Sequence, residues 1–422
     1  MIKKVYNDSV LAERVVSATL DNGLKIFVAE KKDFKSNFAV YGTKYGSIDT
    51  AFSKNGGKTV AVPEGIAHYL EHKLFESEDG DAFTRFAATG ANANAFTSFD
   101  RTCYLFSCAD RFDDNLDILL DFVQSPYFTE QTVQKEQGII GQEIRMYDDS
   151  PQWCMLFNML EAMYENHPVR IDIAGTVESI SHITAELLYE CYSTFYNPAN
   201  MFVCVAGNVN ADEVIERVAS AIKAAEPVTI ERAAFFEKNG VKTNYVEKQM
   251  EIAKPLFSFG FKEECEGERS LKECICSDIM LDILAGDTSP LYETLTEKGL
   301  INDEFDSEYF QGNGYATAIF QGESDDPRAV ADAICAEVER LKAEGIPEDI
   351  FESARRSLYG TAVKRYNNVE AITMSLVDCA MSDFGPFEDI DILRGLTKRD
   401  IEQRLSLLSS ECSVLSVILP KR

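Results

Sequence analysis

No stretch of this 422-residue chain approaches the roughly 18 consecutive apolar residues that a membrane-crossing helix requires. The opening residues, Met1-Ile2-Lys3-Lys4-Val5-Tyr6-Asn7-Asp8, lead into no apolar core of signal-peptide length. Cations are scarce beside acids: 41 Lys and Arg stand against 70 Asp and Glu, a formal net charge of −29. Phosphate surfaces repel such a chain, which argues against nucleic acid or an anionic membrane as partner. The acidity reads first as solubility; gathered around an interior, it would favour cationic peptides. Paired cysteines are missing as well. Eleven cysteines, an odd number, form no CxxC pair, and the closest spacing is Cys274-x-Cys276. Reduced thiols buried as small apolar side chains, in a cytoplasmic protein, are therefore expected rather than a disulfide framework.

What is present suits a soluble globular protein of more than one core: 45% hydrophobic and 26% charged residues over a length that exceeds one ordinary domain. Strand patterns occur at residues 24–29 and 38–42, and a buried strand at 201–207. Pro63-Glu64-Gly65 leads into a predicted helix from Ile66 to about Phe75, with further helices at 112–124, from Glu130 onward, and at 211–225. The second half repeats this order, with strands at 255–261 and 315–320 preceding helices at 271–284 and 329–344. Tyr127-Phe128-Thr129-Glu130 with Val133 and Glu136 parallels Gly345-Ile346-Pro347-Glu348 with Phe351 and Ala354. In that register Glu136 becomes Ala354 and Glu143 becomes Thr361, so the second copy keeps a helix and loses its acids. The expected fold class is α+β: two homologous modules, each a mainly antiparallel sheet covered by helices. Residues 1–225 form the module with chemistry, the weakly periodic stretch 226–248 a linker, and 249–422 a degenerate module without a metal site.

Histidine is rare, with only His68, His72, His167 and His182, yet two of the four fall in one five-residue motif. His68-Tyr69-Leu70-Glu71-His72 lies inside the predicted helix, where positions i, i+3 and i+4 share one face. Two imidazoles at i and i+4 can chelate one Zn²⁺ and leave room for another ligand and a water. Glu71 stands beside them, placed to accept a proton from that water; the order is the inverse of the HExxH zinc helix. The bland alternative is two surface histidines that happen to be four apart. A third ligand has to come from elsewhere. Glu136 and Glu143, seven apart on one helix face, both qualify, as does the reading of that face as merely solvated. His167 precedes Pro168 in a loop-like stretch and reads as structural, and Tyr69 and Leu70 point off the ligand face toward a core.

Together these residues resemble the pitrilysin/insulinase family, which includes insulin-degrading enzyme and mitochondrial processing peptidase. The resemblance is carried by His-x-x-Glu-His followed, 71 residues after His72, by Glu143 with Glu136 seven before it. Leu70-Glu71-His72-Lys73-Leu74-Phe75, Asn94-Ala95-Phe96-Thr97-Ser98, His167-Pro168, Gly175-Thr176 and Asn197-Pro198-Ala199-Asn200-Met201 are similar to further landmarks of that family. It spans nearly the whole chain and is nearest to a bacterial, half-length branch.

The resemblance implies a zinc metallopeptidase. His68, His72 and Glu143 would bind zinc, and Glu71 would be the general base. Glu136 would support the site from behind a ligand. Asn94, Ala95 and Phe96 would pair with the backbone of a peptide substrate as an added strand. A non-catalytic structural subunit of a processing complex is the competing reading, and a zinc hydrolase acting on a non-peptide amide is a third. One family feature is absent. The Arg and Tyr, seven apart, that complete family sites have no counterpart in Leu295-Thr296-Glu297-Lys298-Gly299-Leu300-Ile301-Asn302-Asp303, where Thr296 stands for Arg and neither Asn302 nor Asp303 is Tyr. Arg365 and Tyr366 are substitutes only from a different predicted helix. The implied partner is a homologous subunit without the zinc motif that supplies Arg and Tyr in a heterodimer, with a homodimer as the other arrangement.

Overall fold

The computed structural model describes residues 1–78, 80–382 and 384–421. Two compact units form. The first is built on a seven-stranded sheet in the order Ile2–Asp8, Glu13–Thr19, Lys25–Glu30, Met201–Gly207, Asn37–Thr43, Thr102–Cys108 and Asn92–Thr97. Asn37–Thr43 and Met201–Gly207 are buried throughout, as strands covered on both faces must be, and both read as continuous apolar runs. Among the described residues Asn92–Thr97 pairs only with Thr102–Cys108, in the register Thr97↔Thr102, so its other side is an open sheet edge there.

The second unit has a five-stranded sheet ordered Tyr245–Met250, Ser413–Pro420, Leu256–Lys262, Tyr315–Glu323 and Asp306–Gly312. Its first pair is parallel and the other three pairs are antiparallel. The five strands from Lys25–Glu30 to Asn92–Thr97 in the first unit carry the same sequence of pairings. The expected α+β fold of two like modules, each with a mainly antiparallel sheet and helices, is what the chain forms.

The unit boundaries differ from the expected cuts at 225 and 249. The first unit takes Met1–Ile144, Asp172–Ala233 and Val363–Glu388; the second takes Arg145–Ile171, Ala234–Ala362 and everything from Asp389. Each sheet stays within its own half of the sequence, while one helix from each half joins the other half's sheet. Helix Val369–Met381 presents Ile372, Leu376, Val377 and Ala380 to a core with Phe27, Val40, Phe202 and Cys204. Helix Pro151–Met163 covers Leu256–Lys262 and Ser413–Pro420, and a Cβ on Gly260 would lie 2.7 Å from the Met163 Cε. The physical reason is that a sheet face must be covered by some apolar helix stripe, and sequence order does not dictate which helix supplies it.

The stretch 226–248 is more structured than a linker. Ile230–Arg232 pairs antiparallel with Ala51–Lys54 in the first unit, and Tyr245–Met250 is a strand of the second sheet. Between them, the Glu237 carboxylate accepts the backbone N–H groups of Glu165, Asn166 and His167, each at 2.9 Å, and the Lys262 ammonium at 3.1 Å. Burial pushes this carboxyl up, but the three N–H donors and Lys262 outweigh it and hold the group at about 2. A depressed carboxyl stabilises the fold above its ordinary value of 4.5 and loses that contribution as pH falls toward 2. Glu237→Gln is therefore expected to lower stability at neutral pH by about 1–3 kcal/mol. Its deficit in unfolding midpoint relative to the parent should shrink as the pH of the melt is taken from above 4.5 down toward 2. A deficit that stays constant over that range would rule out the carboxylate as the cause.

Candidate metal centre

Gly65 starts the motif helix Ile66–Leu74 from a left-handed conformation, φ 87°. A Cβ there would meet the Ala174 carbonyl oxygen at 2.3 Å, so only glycine lets the helix begin this close to the 174–175 turn. From that start, Tyr69, Leu70 and Leu74 face the core, and His68, Glu71 and His72 fall on the opposite side. The His68 and His72 rings lie 4.6 Å apart, centre to centre. The Tyr69 hydroxyl donates to the carbonyl oxygen of Val133 and ties this helix to the acidic helix Glu130–Asp148.

Along the acidic helix, Val133, Ile140 and Ile144 are buried, and Glu136 and Glu143 sit on the same stripe. Their side chains are only 13% and 22% exposed, which rejects the reading of a merely solvated acidic face. Glu143 reaches both histidines: Oε1 lies 3.7 Å from His68 Nε2, and Oε2 lies 3.4 Å from His72 Nε2. One ligand atom from each of His68, His72 and Glu143 lies within 4.8 Å of the other two. These gaps are long for hydrogen bonds, and they match the edge of a zinc tetrahedron, about 3.4 Å for ligands bound at about 2.0–2.1 Å.

The protonation pattern fits the same use. Burial, with the neighbouring His72, pushes His68 down to about 3, so this imidazole is neutral. It is buried, its Nδ1 has no partner, and neither ring nitrogen makes a hydrogen bond among the described residues. A buried imidazole left in that condition is costly unless an ion takes up a lone pair. His72 Nδ1 lies 3.1 Å from Glu136 Oε1, which places the proton on Nδ1 and turns the Nε2 lone pair toward Glu143. Burial pulls His72 down, but that hydrogen bond and the charges of Glu71, Glu143 and Glu136 raise it overall. Burial likewise raises Glu136, and its bond to His72 reverses the shift, leaving it below the usual carboxylate range. A divalent cation between the three ligand atoms would replace the proton on this charge cluster.

Glu71 lies beside the triad, outside it. It is almost fully buried, which raises its carboxyl to about 6, countered in part by a hydrogen bond from Thr97 and the nearby His72. Alongside runs a cavity of about 590 Å³, walled by Glu71, His72, Phe75, Phe83, Asn94 and Ala95. The rings of Phe75 and Phe83 stack at 4.2 Å, and Phe83 is 43% exposed to the space. Of the three edge-strand residues, Asn94 and Ala95 border the cavity, whereas the Phe96 side chain turns to the other face and packs against the core around Cys103 and Phe202.

Of the substitutes for the missing Arg and Tyr, Tyr366 is a core residue packed on Phe387. Asn302 hydrogen-bonds Glu323 at 2.8 Å. His167 lies in the second unit, buried, taking the Val169 N–H on Nδ1 and bonding the Asn313 carbonyl through Nε2. Thr97 was assigned no role by the motif spacing. The signal that could have found it is strand alternation, which puts Thr97 on the same face as Ala95, toward the motif helix.

A two-module α+β chain with an inverted His-x-x-Glu-His helix in one module defines the class of M16-like peptidase folds. Residues 59–177 match the family model described as insulinase, peptidase family M16, and residues 182–358 match the M16 inactive-domain model. The uncharacterized zinc protease YmfH of Bacillus subtilis is 42% identical over 95% of both chains. The crystal structure of an M16-like peptidase from Alicyclobacillus acidocaldarius is 34% identical with a TM-score of 0.93, covering 97% of this chain and 99% of that one. A protease from Helicobacter pylori shares the fold, with 20% identity, a TM-score of 0.83, and coverage of 97% and 100%. The chain belongs to the insulinase family, peptidase family M16.

The two carboxylates of the acidic helix should separate in a zinc titration. Glu143→Gln removes a charged oxygen that faces both imidazoles and is expected to weaken Zn²⁺ binding severely. Glu136→Gln removes only the acceptor behind His72 and should weaken it by the order of 10–100-fold. Isothermal titration of both purified variants measures this, and a larger loss at Glu136 would reverse the two assignments.

Proposed function

We propose that the chain is a zinc metalloendopeptidase that hydrolyses peptides or unfolded segments and works with a homologous subunit that lacks the zinc motif. The observation that carries this reading is the convergence of His68, His72 and Glu143 with the buried carboxylate of Glu71 next to them. His68, His72 and Glu143 hold the metal, and Glu136 orients His72 through its Nδ1. Zinc bound there would supply Lewis acidity that polarises the scissile carbonyl and acidifies the attacking water. Glu71 takes the proton from that water and returns it to the leaving amine, the two steps that amide hydrolysis needs from one group.

The open edge at Asn94, Ala95 and Phe96 offers backbone donors and acceptors to an extended peptide, which accounts for cleavage without a strict sequence motif. Beside it, the cavity takes substrate side chains. The partner contributes the Arg and Tyr that this chain lacks, stabilising the developing oxyanion. Eleven free thiols, and no helix among the described residues long and apolar enough to cross a membrane, favour a cytoplasmic setting.

Two experiments test this reading. In the first, the isolated chain is assayed on a mixed peptide library, alone and with a candidate homologue added. Loss of an oxyanion donor typically costs on the order of 10²–10³ in rate, so addition of the partner should restore that factor. Full activity from the lone chain, unchanged by any homologue, would refute the shared site. In the assembled enzyme, Glu71→Gln should keep zinc and lose hydrolysis, whereas His72→Ala should lose both.

The second experiment addresses the edge strand. Ala95→Pro removes the backbone N–H that faces the open edge, where the Asn94 side chain accepts it at 2.9 Å, and should reduce peptide turnover while zinc content, read by metal analysis, stays at about one per chain. Unchanged turnover would take the strand out of substrate binding.

A further inference from the structure

We propose that Thr97 is the positioning residue for the catalytic carboxylate, its hydroxyl holding Glu71 in one orientation from the same strand that receives the peptide. The inference rests on the reading of Glu71 as the general base, and concerns what aims it.

A glutamate's terminal torsion is broad and roughly two-fold, so backbone and rotamer preferences leave the carboxylate plane free to turn. In a nearly buried site that freedom costs rate, because a base must present one oxygen within hydrogen-bond reach of the proton it removes. Among the described residues Glu71 makes one side-chain hydrogen bond, from Thr97 Oγ1 to Oε2 at 2.6 Å. That length belongs to a charge-assisted O–H···O⁻ bond. With Oε2 tied down, the rigid carboxylate has its plane set and its other oxygen aimed.

The direction of that bond is itself determined. Thr97 Oγ1 has one other hydroxyl nearby, Thr102 Oγ1 at 3.5 Å. Thr102 gives its single hydrogen to the Tyr45 carbonyl at 2.9 Å and has none left for Thr97. Thr102 could therefore only accept from Thr97, and the Thr97 hydrogen goes instead to the carboxylate, which is much nearer, 2.6 Å against 3.5 Å, and the stronger acceptor. A hydroxyl can also turn and accept when the carboxyl carries the transferred proton, so one partner serves both states of the base.

Thr97 stands at the rigid end of the edge strand. It pairs directly opposite Thr102, and the turn that follows is closed by Ser98 N–H to the Arg101 carbonyl at 2.8 Å. Ser47 N–H bonds the Ser98 carbonyl at 3.0 Å, and Arg101 is held by Asp100 and Asp378. The branched side chain adds stiffness at χ1. At the other end of the same strand Asn92 and Asn94 are exposed. A peptide added at Asn94–Phe96 would extend the backbone that carries Thr97, so substrate pairing and base orientation act on one element.

The test uses the assembled enzyme with Thr97→Val, which keeps the branched shape and removes the hydroxyl, and Thr97→Ser, which keeps the hydroxyl. Thr97→Val is expected to lower kcat by about 10- to 100-fold with KM and zinc content little changed. Thr97→Ser should recover most of the rate. On the residual single-turnover rate of Glu71→Gln, Thr97→Val should cause no further loss, because its effect runs through Glu71.

A readout independent of turnover is the antisymmetric carboxylate stretch of Glu71, isolated as the infrared difference between the chain and Glu71→Gln. It should shift in Thr97→Val and return in Thr97→Ser. A parent-like kcat in Thr97→Val, an equal loss in the Glu71→Gln background, or an unmoved band would overturn the proposal. An assembled parent enzyme that cleaves no peptide would instead defeat the peptidase reading, and the infrared band would then decide the placement of Glu71 alone.

Discussion

The Tyr69 hydroxyl donates to the carbonyl oxygen of Val133, and around that bond the motif helix and the acidic helix are held in one register. A helix rises about 5.4 Å per turn, so a slip of one turn would carry every carboxylate of the acidic helix out of reach of the imidazoles. Val133, Ile140 and Ile144 fill the stripe between the acids and bury it, which makes the register a matter of core packing rather than of weak surface charge. The consequence is a division of labour along one helix face. Glu143 falls between the two Nε2 atoms, while Glu136 falls behind His72 on Nδ1. The hydrogen bond that sets the tautomer of His72 follows from that alignment.

The repeated sheet order explains how a chain can hold one site and two similar modules. Each module supplies a five-strand pattern with one parallel and three antiparallel pairings and an open edge strand. In the second module the helix parallel to the acidic one buries Phe351 and Ala354 where the first has Val133 and Glu136. Replacing a carboxylate by a methyl group removes a costly buried charge that has no metal or imidazole to offset it.

A chain of net charge −29 nevertheless places several acids in or near its cores, and each has local partners. Glu263 Oε2 meets Arg404, Arg269 and the Tyr309 hydroxyl while its Oε1 has no hydrogen-bond partner among the described residues, the half-buried Glu237 meets three backbone N–H groups and Lys262, and Glu71 meets Thr97. The same rule reads differently at His68, whose Nδ1 has no partner. Satisfied buried groups stabilise structure, whereas two imidazoles and a carboxylate with ligand atoms within 4.8 Å of one another form a set that could hold an ion.

The sequence alone determined that His68, Glu71 and His72 share a helix face, because three- and four-residue spacing on a helix is local geometry. It also determined that the halves are related, that Glu136 and Glu143 share a stripe, and that both are candidates for a third ligand. It could not choose between them by geometry, since residues seven apart point the same way and only the docking of one helix on another decides which turn meets the imidazoles. The resemblance assigned Glu143, and in the structure its carboxylate lies 3.7 and 3.4 Å from the two Nε2 atoms. Tertiary structure alone decided that the helices at 151–163 and 369–381 cover sheets of the opposite halves, because covering a sheet depends on which apolar stripe reaches it and not on chain order. It alone placed the Thr97 hydroxyl on Glu71: strand alternation could assign Thr97 its face, but a contact across 26 residues, between a strand and a helix, depends on how the two elements dock.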